Sequence, residues 1–204
     1  MRGRPAVLLA VVLSLAVTGC GGGVDDEAGV VVTVPPASSA AAPTTPVTST
    51  DAEAALNERG NIVTAVGEPA AIRRSADPGA PTILTFTVEE FVINPECDSG
   101  FEQAPVTGNY LGIALRVETT PDYDARALRS FSEFDFAILR PDGTPLDDVI
   151  GKGQLCFGEE DEISHRRMGP GQQYRGWIVL DMPIREGTLV YAPPDQPHGW
   201  EWEF

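Results

Sequence analysis

Apolar and polar residues alternate along several stretches of the chain after residue 60. Leu84–Val88 places an apolar residue at every second position, and the apolar phase moves to Phe91 and Ile93 after Glu89-Glu90. A period of two is typical of a β-strand with one buried face. The change of phase inside one run predicts a β-bulge at the two glutamates.

Further runs extend this pattern to the C-terminus, with turn sequences such as Pro141-Asp142-Gly143 between them. The run Tyr174–Met182 is apolar on both faces and predicts a central strand. The other strands are expected at Leu111–Val117, Phe134–Ile138, Leu189–Tyr191 and Trp200–Phe204. Six or more strands with almost no helical periodicity predict an all-β fold, an antiparallel β-sandwich. Its core is expected to contain Leu84, Phe86, Leu111, Ile113, Leu115, Phe134, Phe136, Ile138, Ile178 and Leu180.

The N-terminus has the organisation of an export signal. Two arginines precede the mainly apolar run Ala6–Val17, which is shorter than the roughly 20 apolar residues that span a bilayer core. Residues 15–20 read Leu-Ala-Val-Thr-Gly-Cys and resemble the bacterial lipobox. The resemblance implies removal of residues 1–19 and attachment of diacylglycerol to the Cys20 sulfur. The alternative is an ordinary secretory signal, but Cys20 stands where cleavage is expected.

Residues 20–58 form the lipidated N-terminus and a linker rich in Pro, Thr, Ser and Ala. Such a composition cannot bury enough apolar surface to fold, so an extended, solvated, disordered linker is expected. The β-sandwich domain is assigned to residues 59–204. The protein is therefore expected at the cell membrane, anchored by lipid, with its domain on the extracytoplasmic face.

Two cysteines remain once Cys20 is assigned to lipid. An even pair in an oxidising compartment is expected to form a disulfide, here between Cys97 and Cys156. The alternative is a reactive thiol pair or a metal-binding pair. Neither cysteine has a second cysteine at CxxC spacing or a nearby histidine, so the disulfide is the favoured interpretation.

The domain resembles the domain-of-unknown-function 4352 family, within the immunoprotective extracellular immunoglobulin-like superfamily. The resemblance covers about residues 61–193 and rests on three stretches: Val66–Ala70, Tyr110–Glu118, and Met168–Gly171 with the following Gly176–Pro183 and Leu189–Tyr191. It implies an immunoglobulin-like sandwich in secreted or lipid-anchored surface proteins of Gram-positive bacteria, and it transfers no catalytic residues. The chain departs from the family in its C-terminal tail and in an insertion around Gly151–Arg167.

The charge of the chain excludes some partners. Thirty acidic residues against fourteen basic ones give a formal net charge of -16. Such a surface repels phosphate backbones and anionic headgroups, so neither nucleic acid nor an electrostatic grip on the membrane is expected. The partner is then an unknown envelope or extracellular protein or glycan.

Four aromatic residues are the candidates for ligand binding: Trp177, Tyr191, Trp200 and Trp202. They would form an aromatic platform for a sugar or a peptide if they faced solvent. The alternative is packing in the core, since alternation buries one face of a strand. The edge of the C-terminal Trp-x-Trp strand could also accept a partner strand.

Metal binding and hydrolysis have weaker support in the sequence than a binding role. The acidic run Glu159–Glu162 would bind calcium only if its contiguous carboxylates converged, and a solvated loop is the alternative. Two histidines, His165 and His198, are too few for zinc, so no metal or cofactor is expected. Adjacent Ser164-His165 motivates an extracytoplasmic hydrolase as the alternative function. A non-enzymatic binding module is the leading hypothesis.

We expect the Cys20→Ser variant to lose lipid attachment, because the thiolate sulfur is the atom that is alkylated. Cells making the wild-type chain should incorporate a clickable fatty acid into it, and cells making the variant should not. The Cys97→Ser variant, which keeps the lipobox, is the control and should retain the label. Lipid-free wild-type protein, or mature protein that keeps residues 1–19, would contradict the prediction.

Overall fold

The computed structural model describes residues 55–77, 79–124, 126, 131–194 and 196–204. The predicted signal peptide, Cys20 and the predicted linker as far as residue 54 lie outside the described residues. Within the described part of the chain, no helix is long and apolar enough to cross a bilayer. The strands are β1 (Ile62–Val63), β2 (Pro69–Arg73), β3 (Thr82–Ile93), β4 (Asn109–Thr119), β5 (Phe136–Leu139), β6 (Gln173–Met182), β7 (Thr188–Tyr191) and β8 (Trp200–Glu203).

The strands form two four-stranded sheets that pack face to face, which confirms the predicted β-sandwich. One sheet, called the β8 sheet, has the order β1-β8-β7-β5, and the other, called the β4 sheet, has the order β2-β3-β4-β6. All strand pairs are antiparallel except β1 and β8, which run parallel. In the described part of the chain, three short 3-10 turns interrupt the connecting loops: Glu133–Asp135, Gly153–Leu155 and Ile163–His165.

The core between the sheets contains the predicted residues with one exception. Nine of the ten are buried, and Phe86 lies at the centre, where it contacts Phe131, Tyr191 and Trp200 edge-on. The prediction for Phe134 is wrong, since this side chain is 74% exposed. Its backbone belongs to a 3-10 turn capped by Ser132, and the strand begins only at Phe136, so the alternation does not extend back to Phe134.

The predicted β-bulge is confirmed in β3. The register with β4 shifts between Val88 and Glu90, so that Val88 lies opposite Leu115 while Phe91 lies opposite Ile113. The extra residue, Glu89, keeps apolar side chains on the inner face before and after the shift.

The prediction that β6 is a central strand is wrong. It pairs only with β4 and lies at the edge of its sheet. The segment 149–163 covers this edge: the Trp177 N–H donates to the Asp161 carbonyl at 2.7 Å, and the Asp181 N–H donates to the Val149 carbonyl at 2.6 Å. The segment also covers the outer face of β6, which explains why the strand is apolar on both faces.

Two further edges, at β5 and β2, are also covered. The stretch 144–146 lies along β5, where the Leu146 N–H donates to the Ile138 carbonyl at 2.9 Å. On β2 the side-chain amide of Gln196 acts as a strand would, accepting from the Arg73 N–H at 3.3 Å and donating to the Arg73 carbonyl at 2.9 Å. The C-terminal strand β8 lies between β1 and β7. It is therefore not the open edge that the Trp-x-Trp pattern suggested for strand addition.

Segment 149–163 approaches β6 so closely that a side chain at Gly153 has no room. A Cβ there would lie 2.0 Å from the Val179 carbonyl oxygen. We expect Gly153→Ala to lower the free energy of unfolding by about 1–3 kcal/mol, the usual cost of overpacking. Urea unfolding of the mature chain measures the change.

Gly158→Ala is the matched control in the same segment. Its Cβ would meet only the Glu160 side chain, at 3.6 Å, which is an ordinary contact. This variant should change the free energy of unfolding by less than about 0.5 kcal/mol. Equal effects of the two substitutions would show that the segment is not packed on β6 in this way.

Candidate functional site

Three of the four aromatic candidates are in the core. Tyr191 is 3% exposed, and Trp200 and Trp202 are each 1% exposed. They occupy the inward positions of β7 and β8, between the two sheets, so the hypothesis that they present a platform to solvent is wrong. Their alternation with Val190 and Glu201 is the pattern of strands that bury one face.

The fourth candidate, Trp177, lies on the outer face of β6 and is partly buried. Its ring stacks on the Phe157 ring with centroids 5.2 Å apart. A Cβ added at Gly112 of β4 would come within 3.4 Å of the Trp177 ring, so the small glycine leaves room for the indole. Trp177 is thus held between the sheet and a loop and does not form an open platform.

Two loops lie over this outer face, and together we call them the cover: residues 94–108 and residues 149–165. Cys97 of the first loop and Cys156 of the second are joined by a disulfide, with their Cα atoms 4.5 Å apart. Cys156 is buried with Tyr110 and Val179 of the sheet. The cover therefore has a small apolar cluster of its own, on the side of the β4 sheet that faces away from the main core.

Asp181 of β6 holds the far end of the first loop. Its buried carboxylate accepts hydrogen bonds from the Val106 N–H at 2.5 Å and the Thr107 N–H at 2.9 Å, and from the Thr107 hydroxyl. The Tyr110 hydroxyl donates to the Gln103 carbonyl at 3.0 Å. Burial, with a smaller effect of the Asp181 charge, raises the pKa of Tyr110, so this phenol stays protonated as a donor.

The near end of the loop is fixed to the second loop. The Asp98 and Ser99 N–H groups both donate to the Cys156 carbonyl, at 2.9 and 3.2 Å, and the Ser99 hydroxyl donates to the Leu155 carbonyl at 2.5 Å. Hydrogen bonds and the disulfide thus hold the loop on both sides of its middle part.

Two apolar side chains of this fixed loop project into solvent. Phe101 is 78% exposed and Val106 is 68% exposed. The alternation of apolar and polar residues predicts neither as a site residue, because neither belongs to an alternating run. The available signal was the context: a phenylalanine four residues after a cysteine, in a loop rich in Gly, Pro and acidic residues, has no strand partner to bury it.

The second loop contains the residues that motivated calcium binding and hydrolysis. Glu162 is buried, and its Oε2 lies 3.1 Å from Nδ1 of the half-exposed His165. Burial raises the pKa of Glu162, although the nearby His165 charge opposes the shift. The Ser164 Oγ is buried as well, so these residues do not present a nucleophile to solvent. Among the residues that the structure describes, no group of three or more His, Cys, Asp or Glu is placed to hold a metal ion.

A third buried carboxylate, Glu201, lies on the outer face of β8. It accepts hydrogen bonds from Arg59 Nε at 2.8 Å, Asn57 Nδ2 at 2.8 Å and Asn61 Nδ2 at 2.7 Å, and also from Arg59 Nη2. The Arg59 hydrogen bonds, helped by the two asparagines, lower the pKa of Glu201. This ion pair fastens the start of the domain to its last strand.

Comparison with known proteins gives a fold likeness and no family. No family model matches the chain, and no curated protein matches it. The secreted protein MPT63 of Mycobacterium tuberculosis aligns at 16% identity over 71% of this chain and 98% of its own, with a TM-score of 0.42. An uncharacterized β-sandwich protein of Clostridium difficile aligns at 11% identity over 72% of this chain and 97% of its own, with a TM-score of 0.43.

A third solved structure is the candidate lipoprotein ycdA of Bacillus subtilis. It aligns at 12% identity over 66% of this chain, with a TM-score of 0.39, and the match spans only 38% of its own length. With scores below 0.5, none of these overlaps identifies a family. The resemblance to the domain-of-unknown-function 4352 family therefore stays a prediction from the sequence.

We expect Glu201→Gln to lower the free energy of unfolding at pH 7 by about 2 kcal/mol, the scale of hydrogen bonds to a charged group. Folding lowers the pKa of Glu201 from its ordinary value of 4.5, so the carboxylate stabilises the fold above that pH. The contribution is lost as the pH falls through the folded-state pKa. The difference in the free energy of unfolding between wild type and variant should therefore become smaller below about pH 4.5, as measured by urea titrations.

Glu162→Gln is the control with the opposite sign. The pKa of Glu162 is raised from 4.5 in the folded state. The side chain therefore contributes most to the free energy of unfolding when it is protonated, and this contribution is lost as the pH rises through the folded-state pKa. The stability of wild type relative to this variant should fall as the pH rises from 4 to 7. The same pH trend in both variants would contradict the two assigned environments.

Proposed function

We propose that this chain is a lipid-anchored extracytoplasmic protein that binds a protein of the envelope or medium through the cover. The lipobox at residues 15–20 supports the anchor, and the Pro/Thr/Ser/Ala-rich linker would carry the domain away from the membrane. The β-sandwich supplies a rigid support for loops, which is where binding residues are commonly placed.

The observation that carries the proposal is the exposure of Phe101 and Val106 on a loop that is fixed at both ends. Single exposed apolar side chains are common on any protein surface, whereas grouped ones are typical of binding sites, and these two lie five residues apart on one fixed loop. Buried aromatic anchors dominate the energetics of protein interfaces. Because the disulfide and Asp181 already hold the loop, a partner does not have to order it, which reduces the cost of binding.

The chemistry of the two side chains favours a protein over a glycan. Phenylalanine and valine offer no hydrogen-bonding group, whereas the hydroxyls of a sugar lose free energy when they are buried without a partner. Trp177, the aromatic residue better suited to a sugar, is already stacked on Phe157. An apolar pocket on a protein surface fits Phe101 and Val106 better.

Site-specific photocrosslinking of the full chain in its own cells tests the proposal. A benzophenone amino acid at position 101 should form adducts of defined mass with another protein. The yield of these adducts should be at least about ten times the yield obtained with the same probe at position 134. Phe134 is the matched control because it is 74% exposed but lies outside the cover. No adduct, or equal yields at both positions, would contradict a binding role for the cover.

A further inference from the structure

The exposed apolar side chains of the cover stand within a field of negative charge. Loop 94–108 contains three acidic residues and no lysine or arginine, and the three are Glu96, Asp98 and Glu102. All three are exposed and lie within five residues of Phe101. Phe101 therefore projects from a loop whose charged side chains all carry the same sign.

The second loop continues the same charge. The second loop and the residues on either side of it expose Asp147, Asp148, Glu159, Glu160 and Asp161, against Lys152 and Arg167, with Arg166 partly buried. The disulfide keeps this loop beside the first. The two loops together thus present an extended negative surface.

The loop also holds these charges in place. The Asp98 N–H donates a hydrogen bond to the Cys156 carbonyl, and the N–H of the next residue, Ser99, donates to the same carbonyl. Charges on a fixed backbone act together on an approaching molecule, and they favour a surface of complementary potential. Like charge disfavours an anionic lipid surface, and it equally disfavours a second copy of this chain, whose net charge is -16.

We infer that the partner of the cover is a basic protein surface, in which an apolar pocket for Phe101 and Val106 is bordered by lysine or arginine side chains. The inference rests on the proposed function and names the chemistry of its partner. The apolar pair supplies the buried centre of the interface, and the carboxylates supply the charged rim that steers association.

The test is the position-101 photocrosslink repeated in a chain with three neutralised acids, E96Q/D98N/E102Q. We expect the adduct yield to fall about tenfold, and the wild-type yield to fall similarly when the salt concentration is raised from about 0.05 to 0.3 M, because salt screens exposed charges. The cross-linked peptide of the partner should be apolar and flanked by Lys or Arg.

The matched control is E58Q/E186Q/E203Q, which removes the same net charge at exposed positions outside the cover. It should leave the adduct yield unchanged. An adduct that is unaffected by neutralising the cover, or that maps to an acidic or neutral surface of another protein, would overturn the inference while leaving the binding role intact. An adduct with lipid or with a second copy of this chain would overturn both the inference and the proposed function. Loss of the adduct in both triple variants would show a general charge effect and would also overturn it. Absence of any adduct at position 101 would contradict the proposed function itself.

Discussion

Strand β6 imposes the main constraint on this fold, because it lies at a sheet edge and carries apolar side chains on both faces. Ile178 and Leu180 face the core, while Trp177 and Val179 face outward. An uncovered strand of this kind would expose apolar area and a row of open backbone donors and acceptors, which favours aggregation. The cover removes both problems, since segment 149–163 bonds to the β6 backbone and places Cys156 and Phe157 over its outer side chains.

The two loops of the cover contain no strand, so they are held in place by a disulfide and by hydrogen bonds. Irregular loops have no hydrogen-bonded ladder of their own, so their order has to come from other contacts. A disulfide between residues 59 positions apart supplies about 4 kcal/mol on the chain-entropy model. The buried carboxylate of Asp181 binds two backbone N–H groups at the other end. A loop fixed in this way can keep Phe101 in water without collapsing onto the sheet, which makes it suitable for recognition.

The acidic residues divide into two groups with different physical roles. Asp181 and Glu201 are buried and accept several hydrogen bonds each, as buried charges require. Glu162 is buried with fewer partners, and its pKa is raised as a result. Several exposed acids accept local hydrogen bonds, as Asp142 does from the Thr144 N–H, while like charges at the surface repel one another. In the proposed interface, the exposed acids of loop 94–108 form the charged rim beside Phe101.

The sequence alone predicted strands β3 to β8, the bulge at Glu89-Glu90 and most of the core, because alternation with a period of two is local and reports directly which face of a strand is buried. Strands β1 and β2 were not predicted from the sequence. It also carries the whole argument for lipidation of Cys20, which lies outside the described residues. Tertiary structure alone decided that β6 is an edge strand, that the Trp200 and Trp202 face of β8 and not the Glu201 face lies in the core, and that Phe101 and Phe134 are exposed. These properties depend on which distant segments meet, and no local periodicity encodes the neighbours that a strand or a loop acquires when the chain folds.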